Sequence, residues 1–192
     1  MKTRNWIKVD EKPLEPGIPN SPKAITESKY IPGEIRMFLG TTTLSYRIDE
    51  ITEAICEPKA RMNWVERMTE NILIEGKPNQ GKWLSYESYG LSWPVSDRDY
   101  VFQQTLEKSM YKQKNKTIVK VSSIEHPDYP DKTDRVRGEL PTCVFTLEAV
   151  SEKETHLDVM VQVDPGGSIP GFLKNMIQKG WALKTTRIKN IN

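Results

Sequence analysis

Between residues 71 and 164 the chain holds six strand-like runs, NILIEGK, KWLSYESYGLS, DYVFQQTLEKSM, TIVKVSSIEH, CVFTLEAVS and THLDVMVQVD, the last of which alternates apolar and polar positions sharply. Alternation of this kind puts one side of a strand against a core and the other toward water. The runs are separated by turn signals such as GKPNQGK and HPDYPDKTD, with no long helical pattern between them. Strands joined that closely pair as hairpins, so an antiparallel sheet is expected.

The flanks follow other periods. RMFLGTTTLSYR (36–47) is rich in Thr, aromatic and branched residues and reads as one more strand. IDEITEAICEPKARMNWVERM (48–68) then sets Ile48, Ile51 and Ile55 at helical spacing, and Pro58 divides it into two short helices. From Ser168 the chain spaces Phe172, Leu173, Met176, Ile177, Trp181 and Leu183 as one apolar face, with Pro170 in the first turn, which predicts a long amphipathic helix. Pro13, Pro16, Pro19 and Pro22 recur with a period of three, the repeat of polyproline II, so residues 1–22 are expected to form an extended arm and 23–192 the domain proper. Seven or more antiparallel strands, a helix pair inserted early and one helix last make an α+β layout. The sheet is expected to curl around the final helix and enclose space.

Composition narrows the class. With 36% hydrophobic and 28% charged residues the chain reads as globular, and a net charge of +2 argues against nucleic acid as a partner. No apolar run reaches the length of a bilayer span, and the first residues lack the apolar segment of an export signal, which predicts a cytoplasmic location. Cys56 and Cys143 show no metal spacing and are expected as buried thiols.

Four marks in order, WPVSDRDYV (93–101), HPDYP (126–130), VRGEL (136–140) and VQVDPGGSIPGFLKN (161–175), carry a family resemblance. The sequence from about residue 24 to 185 resembles the START domain, the steroidogenic-acute-regulatory-related lipid-transfer module. The resemblance implies the helix-grip, Bet v 1-like fold, with a lipid-sized cavity between the curved sheet and the last helix. It implies no cofactor and no metal, and a lipid or other hydrophobic small molecule as ligand. One departure is visible: START domains usually open with a longer helix, where this chain has the proline-spaced arm.

In WPVSDRDY, Pro94 belongs at the turn before a strand, and Arg98 stands between Asp97 and Asp99. A guanidinium can take two carboxylates through its planar fork, so Arg98 is either a ligand anchor or a pin that neutralises the Asp pair. Its place at the turn end of the strand favours the pin. The interior chemistry is expected further along, where Tyr100, Phe102, Gln104 and Leu106 share one face of their strand and Trp83, Ser85, Glu87 and Tyr89 one face of the preceding strand. Glu87 is an acid among apolar and aromatic neighbours, either facing water or held inside a cavity. Steroidogenic and ceramide-transferring members carry an interior acid in this strand, and similarity places it on Glu87 and the second interior polar position on Gln104. That position is basic in steroidogenic members; here it is not, so the pair is expected to act on a hydroxyl or amide head group. Leu157, Val159 and Val161 line one face of THLDVMVQVD and, with Tyr89, Phe102, Leu173, Met176 and Ile177, are expected to form the apolar wall.

Residues 165–192 hold no acid but carry Lys174, Lys179, Lys184, Arg187 and Lys189. A basic face beside an apolar one suits transient contact with an anionic membrane, and otherwise serves as a solvated face. DPGG (164–167) lacks the Lys-Ser/Thr of a phosphate loop and reads as a turn into the helix. The superfamily also contains polyketide cyclases and aromatases, and a buried Glu87 acting as an acid is the alternative reading. His126 and His156 have no nucleophile or second ligand at useful spacing, so no catalytic residue is assigned. A monomeric lipid or sterol carrier is the expectation.

Overall fold

The computed structural model describes residues 6–13, 21, 23–91, 93–183 and 188. Its strands are β1 (Ile7–Pro13), β2 (Lys23–Lys29), β3 (Met37–Leu44), β4 (Met68–Lys77), β5 (Lys82–Tyr89), β6 (Asp97–Tyr111), β7 (Lys114–Ser123), β8 (Arg135–Arg137), β9 (Glu139–Ala149) and β10 (Thr155–Asp164). Helices α1 (Ile48–Cys56) and α2 (Pro58–Trp64) follow β3, and α3 (Gly171–Leu183) follows β10. All ten strands join one sheet in the order β1-β2-β3-β10-β9-β7-β6-β5-β4, with β8 added parallel to β6. Every other pairing is antiparallel, both in the hairpins and where β3 pairs with β10 from far along the chain.

The six strand-like runs and the early strand all appear as strands, but three further strands do not follow from the pattern. β1 takes up part of the segment expected as an extended arm: Ile7–Pro13 pairs with β2 at the edge of the sheet. Pro13 ends that strand, at an edge where its missing N–H costs little; Pro16, Pro19 and Pro22 lie outside the described residues. β2, KAITESK, buries Ala24, Thr26 and Ser28 on its inner side, three small residues that give little hydrophobic signal. β8 is only three residues long and is held by β6 and side-chain bonds.

Pro58 opens α2 at its first turn and ends α1. Glu50 accepts the Arg47 backbone N–H at 2.7 Å at the start of α1, and the Trp64 indole donates to the Ala54 carbonyl at 2.8 Å, locking the two short helices together.

The grip follows from contacts of α3. The helix packs on β2, β3 and β10, yet its Trp181 meets the rings of Tyr89 on β5 and of Tyr100 and Phe102 on β6. In a flat sheet β2 and β5 would stand six strand spacings apart, about 29 Å. One helix about 10 Å across cannot touch both, so the sheet bends around it. Leu157, Val159, Val161 and Val163 of β10 are buried beneath α3, with Phe145, Leu147 and Val119 continuing the core.

Candidate functional site: an interior polar set beneath an aromatic cluster

The charges of WPVSDRDY do not pair with one another. Arg98 Nε donates to the Pro165 carbonyl at 2.7 Å and its Nη2 to the Gly166 carbonyl at 3.2 Å, while Nη1 reaches the Ser96 carbonyl. The two-carboxylate fork expected for Arg98 is thus replaced by a fork onto backbone oxygens. Asp99, fully buried, takes Arg137 through both oxygens at 2.8 and 3.1 Å and the Tyr86 hydroxyl at 3.1 Å. Asp97 accepts the Leu91 backbone N–H at 2.8 Å. Arg137 also donates to the Tyr129 and Pro130 carbonyls.

The four marks therefore converge on one knot. Two glycines make the convergence possible. A Cβ on Gly138 would lie 2.4 Å from the Tyr100 ring, and one on Gly166 would lie 2.7 Å from the Arg137 carbonyl. Gly166 and Gly167 have φ of 64° and 67°, the left-handed turn that leads DPGG toward α3. His126 belongs to the same corner, its Nδ1 accepting the Asp128 N–H at 3.3 Å and its ring meeting Tyr129.

The interior set is of a different kind. Glu87 is 1% exposed, which excludes the water-facing reading, and it is not without a base. Arg61, buried on α2, donates from Nε to Oε1 at 2.8 Å and from Nη2 to Oε2 at 3.4 Å. The Tyr89 hydroxyl donates to Oε2 of the same carboxylate. The missing basic partner comes from a helix rather than from the neighbouring strand. Burial works against the Arg61 charge, but the Glu87 carboxylate outweighs it and holds the guanidinium above its ordinary range. Burial, then the same carboxylate, pushes the Tyr89 phenol well up.

Arg61 Nη1 has no hydrogen-bond partner among the described residues, although it is buried. Trp83 Nε1 and the hydroxyls of Thr26 and Thr42 are in the same position. Trp83 shares the Glu87 face of β5, and Thr42 pairs with Leu157 and so shares its face. An unpartnered buried donor costs about 1–3 kcal/mol.

Gln104 is buried and donates to Ser85 Oγ at 2.7 Å, a contact between β6 and β5. It does not sit beside Glu87. Glu87 is opposite Tyr100 and Gln104 opposite Trp83, a difference of four residues or about 13 Å along the strand. The expected floor of an acid and a glutamine is therefore two separate polar points.

Above the Glu87 end lies an aromatic cluster. Tyr100 stacks on Phe102 at 5.3 Å, and Trp181 meets Tyr89 and Tyr100, each at 5.7 Å, and Phe102 at 6.3 Å. Outside the cluster opens a cavity of about 510 Å³ whose lining includes Tyr89, Tyr100, Trp93, Met176, Ile177 and Trp181. Leu173 joins that wall, whereas Phe102 stands behind it and Leu157, Val159 and Val161 are packed in the core. The single apolar face expected of α3 is also divided. Trp181 and Ile177 turn inward, while Phe172 and Met176, one turn apart, are 71% and 61% exposed. Met176 and Trp93, the latter 92% exposed, both line the cavity and give its mouth an apolar rim, with Phe172 one turn before Met176.

The basic character expected of α3 is reduced by pairing: Lys174 bonds Asp164 at 2.9 Å and Lys179 bonds Asp10 at 2.6 Å. Lys184, Arg187 and Lys189 lie outside the described residues. No described helix is long and apolar enough to cross a membrane.

Arg61 escaped the sequence reading because it falls in a short helix beside Pro58. A signal was present: Arg61 and Trp64 stand three residues apart, on one face of α2, and the guanidinium lies 5.7 Å from the indole.

Residues 44–190 match the family model of the START domain. This chain belongs to the START domain family. The START domain here is 23% identical over 161 residues to an uncharacterized Pseudomonas aeruginosa protein, covering 84% of this chain and 74% of that one. It is also 23% identical over 134 residues to the Mus musculus phosphatidylcholine transfer protein, 70% of this chain and 59% of the mouse protein's length. The crystal structure of human STARD10 superposes on it with a TM-score of 0.79 at 16% identity, covering 97% of this chain and 73% of that chain. The last likeness is one of fold: a curved antiparallel sheet of many strands with a C-terminal helix.

Proposed function

We propose that this START domain is a lipid carrier rather than an enzyme, taking a lipid whose head group offers a hydrogen-bond acceptor to Arg61. The observation that carries the reading is the buried Nη1 of Arg61, which has no hydrogen-bond partner among the described residues while Nε and Nη2 are held by Glu87. A phosphate ester oxygen satisfies that donor, and a phosphoglyceride agrees with the name of the mouse relative. Glu87 and Tyr89 then position the guanidinium. Gln104 of β6 and Ser85 of β5 form a second polar point further along the strands, and Phe102, Leu157, Val159 and Val161 meet the acyl chains.

The 510 Å³ cavity lies within the range of small-molecule sites. A two-chain lipid needs more room, and the volume is gained where the Trp181 cluster parts. Movement of α3 would lift Trp181 from Tyr89, Tyr100 and Phe102 and join the mouth to the Arg61 end, making α3 the gate. The exposed Trp93, Phe172 and Met176 would meet the bilayer during that exchange. Native mass spectrometry of protein purified without detergent and offered a mixed lipid panel tests this. A retained phospholipid is expected; a protein that takes up no lipid of any class contradicts it.

A further inference from the structure

At the end of the molecule away from the mouth, β6 and β7 run on as a hairpin whose tip reads KSMYKQKNK, residues 108–116. Four lysines and no acid occur in these nine residues. Lys108 is taken by Asp49 at 2.9 Å and Lys116 by Glu148 at 3.1 Å. Lys112 and Lys114 are exposed and pair with no acid among the described residues. Beside them Met110 is 72% and Tyr111 56% exposed.

The register puts Tyr111, Lys114 and Lys116 on one face of the hairpin and Met110, opposite Asn115, on the other, so the two meet only at the tip. Tyr111 is directly opposite Lys114, and Ser109 opposite Lys116, so an aromatic ring and two lysines share a face of the hairpin. The ammonium groups of Lys112 and Lys116 lie 5.3 and 5.6 Å from the centre of the Tyr111 ring. The turn itself is made by Lys112 and Gln113, both at positive φ, 47° and 64°, where Asn and Gly are the usual residues.

We propose that this hairpin tip docks on the surface of an anionic bilayer. The cavities beside the hairpin touch its Lys108 and Asn115 but not Met110–Lys114, so the exposed ring, the methionine, Lys112 and Lys114 lie on open surface rather than in a groove that would seat a peptide. A bilayer interface needs no matching shape: it accepts a tyrosine ring, a methionine and lysine stems at head-group depth, while the ammonium groups meet anionic lipids. The inference does not depend on what the cavity holds. From Asp97 to Tyr111, β6 covers about 46 Å, so a membrane held at the tip is not the one the mouth faces. The surface is a tether, separate from the site of lipid exchange.

The test is co-flotation of the full chain with vesicles of phosphatidylcholine alone and of phosphatidylcholine with phosphatidylserine. The parent is expected on the anionic vesicles, with binding that falls as salt is raised. The double variant Lys112→Glu/Lys114→Glu should lose about tenfold or more in partition onto them, at unchanged melting temperature. Met110→Ser/Tyr111→Ser should lose binding with the charges intact. Equal binding of the parent to both vesicle types, binding to neither, or charge-reversed protein that floats like the parent each overturns the proposal.

Discussion

Two buried charged groups lie on opposite sides of the same pair of strands. Asp99, on the outer side of β6, has its oxygens taken by Arg137 and Tyr86, and the neighbouring Arg98 spends its donors on the Ser96, Pro165 and Gly166 carbonyls. Glu87, on the inner side of β5, is as deeply buried and as well paired, but among the described residues the Nη1 of its partner Arg61 bonds nothing, and the Trp83 indole and the Thr26 and Thr42 hydroxyls are in like condition. Buried polar groups are ordinarily satisfied, so a closed network reads as architecture and an open one as a place prepared for something else. Burial and charge alone do not separate the two; the count of unspent donors does.

The largest expected effect breaks the closed network. Asp99→Ala leaves Arg137 and Tyr86 without their shared acceptor and should cost about 4 kcal/mol, in the range for breaking a buried pair. At this chain length that lowers the melting temperature by roughly 8–16 °C. The folded fraction should still carry lipid.

A double-mutant cycle in the open network comes next. Arg61→Met strands the Glu87 carboxylate and should cost about 3 kcal/mol, whereas Arg61→Met/Glu87→Leu, an apolar replacement of the whole pair, should return to within about 1 kcal/mol of the parent. Equal losses in single and double variants, read by urea unfolding, would show that the pair is not coupled as its geometry says.

Arg98→Ala sharpens the contrast at smaller scale. It removes three bonds to carbonyls of which two belong to the turn before α3, and should cost about 2 kcal/mol. Melting temperature should fall while lipid retention holds; the reverse order would make Arg98 a ligand anchor after all.

The smallest effect is acidic. Partial burial raises the Asp164 carboxyl, but the Lys174 ammonium and the Gly166 N–H outweigh it and hold the group below its ordinary value. A depressed carboxyl contributes stability above its unfolded pKa, about 3.9, and loses it as pH falls through the lower folded value. The contact between β10 and the first turn of α3 should therefore loosen below about pH 4, seen as faster amide exchange in α3 before global unfolding. Asp164→Asn should remove that pH dependence.

The contrast also explains what could be read from the chain. The sheet was legible because β4–β7, β9 and β10 read as strand-like runs with turn signals between them and no long helix. β2 was not, since Ala24, Thr26 and Ser28 fill the inner side without an apolar rhythm, and β1 sits in a segment whose prolines suggested another conformation. Glu87 was legible as an odd acid in an aromatic strand. Its pairing was not, because the partner lies 26 residues back on a different element, and no local spacing encodes a contact made by the helix pair folding onto the sheet. The Arg98 fork failed for a related reason. Adjacent residues of a strand point to opposite faces, so Asp97 and Asp99 are poorly placed for Arg98, while a turn 67 residues on brings carbonyls to it. On α3 the run of apolar residues was visible but not its division, which depends on where the sheet ends and the mouth begins.

The central claim is that the unspent donor of Arg61 selects the ligand. The most direct measurement is native mass spectrometry on the parent and on Arg61→Met/Glu87→Leu, both purified without detergent and offered the same mixed lipids. The parent should retain phospholipid and the variant, equally stable, should retain at least tenfold less; equal loading with the same lipid would contradict the claim.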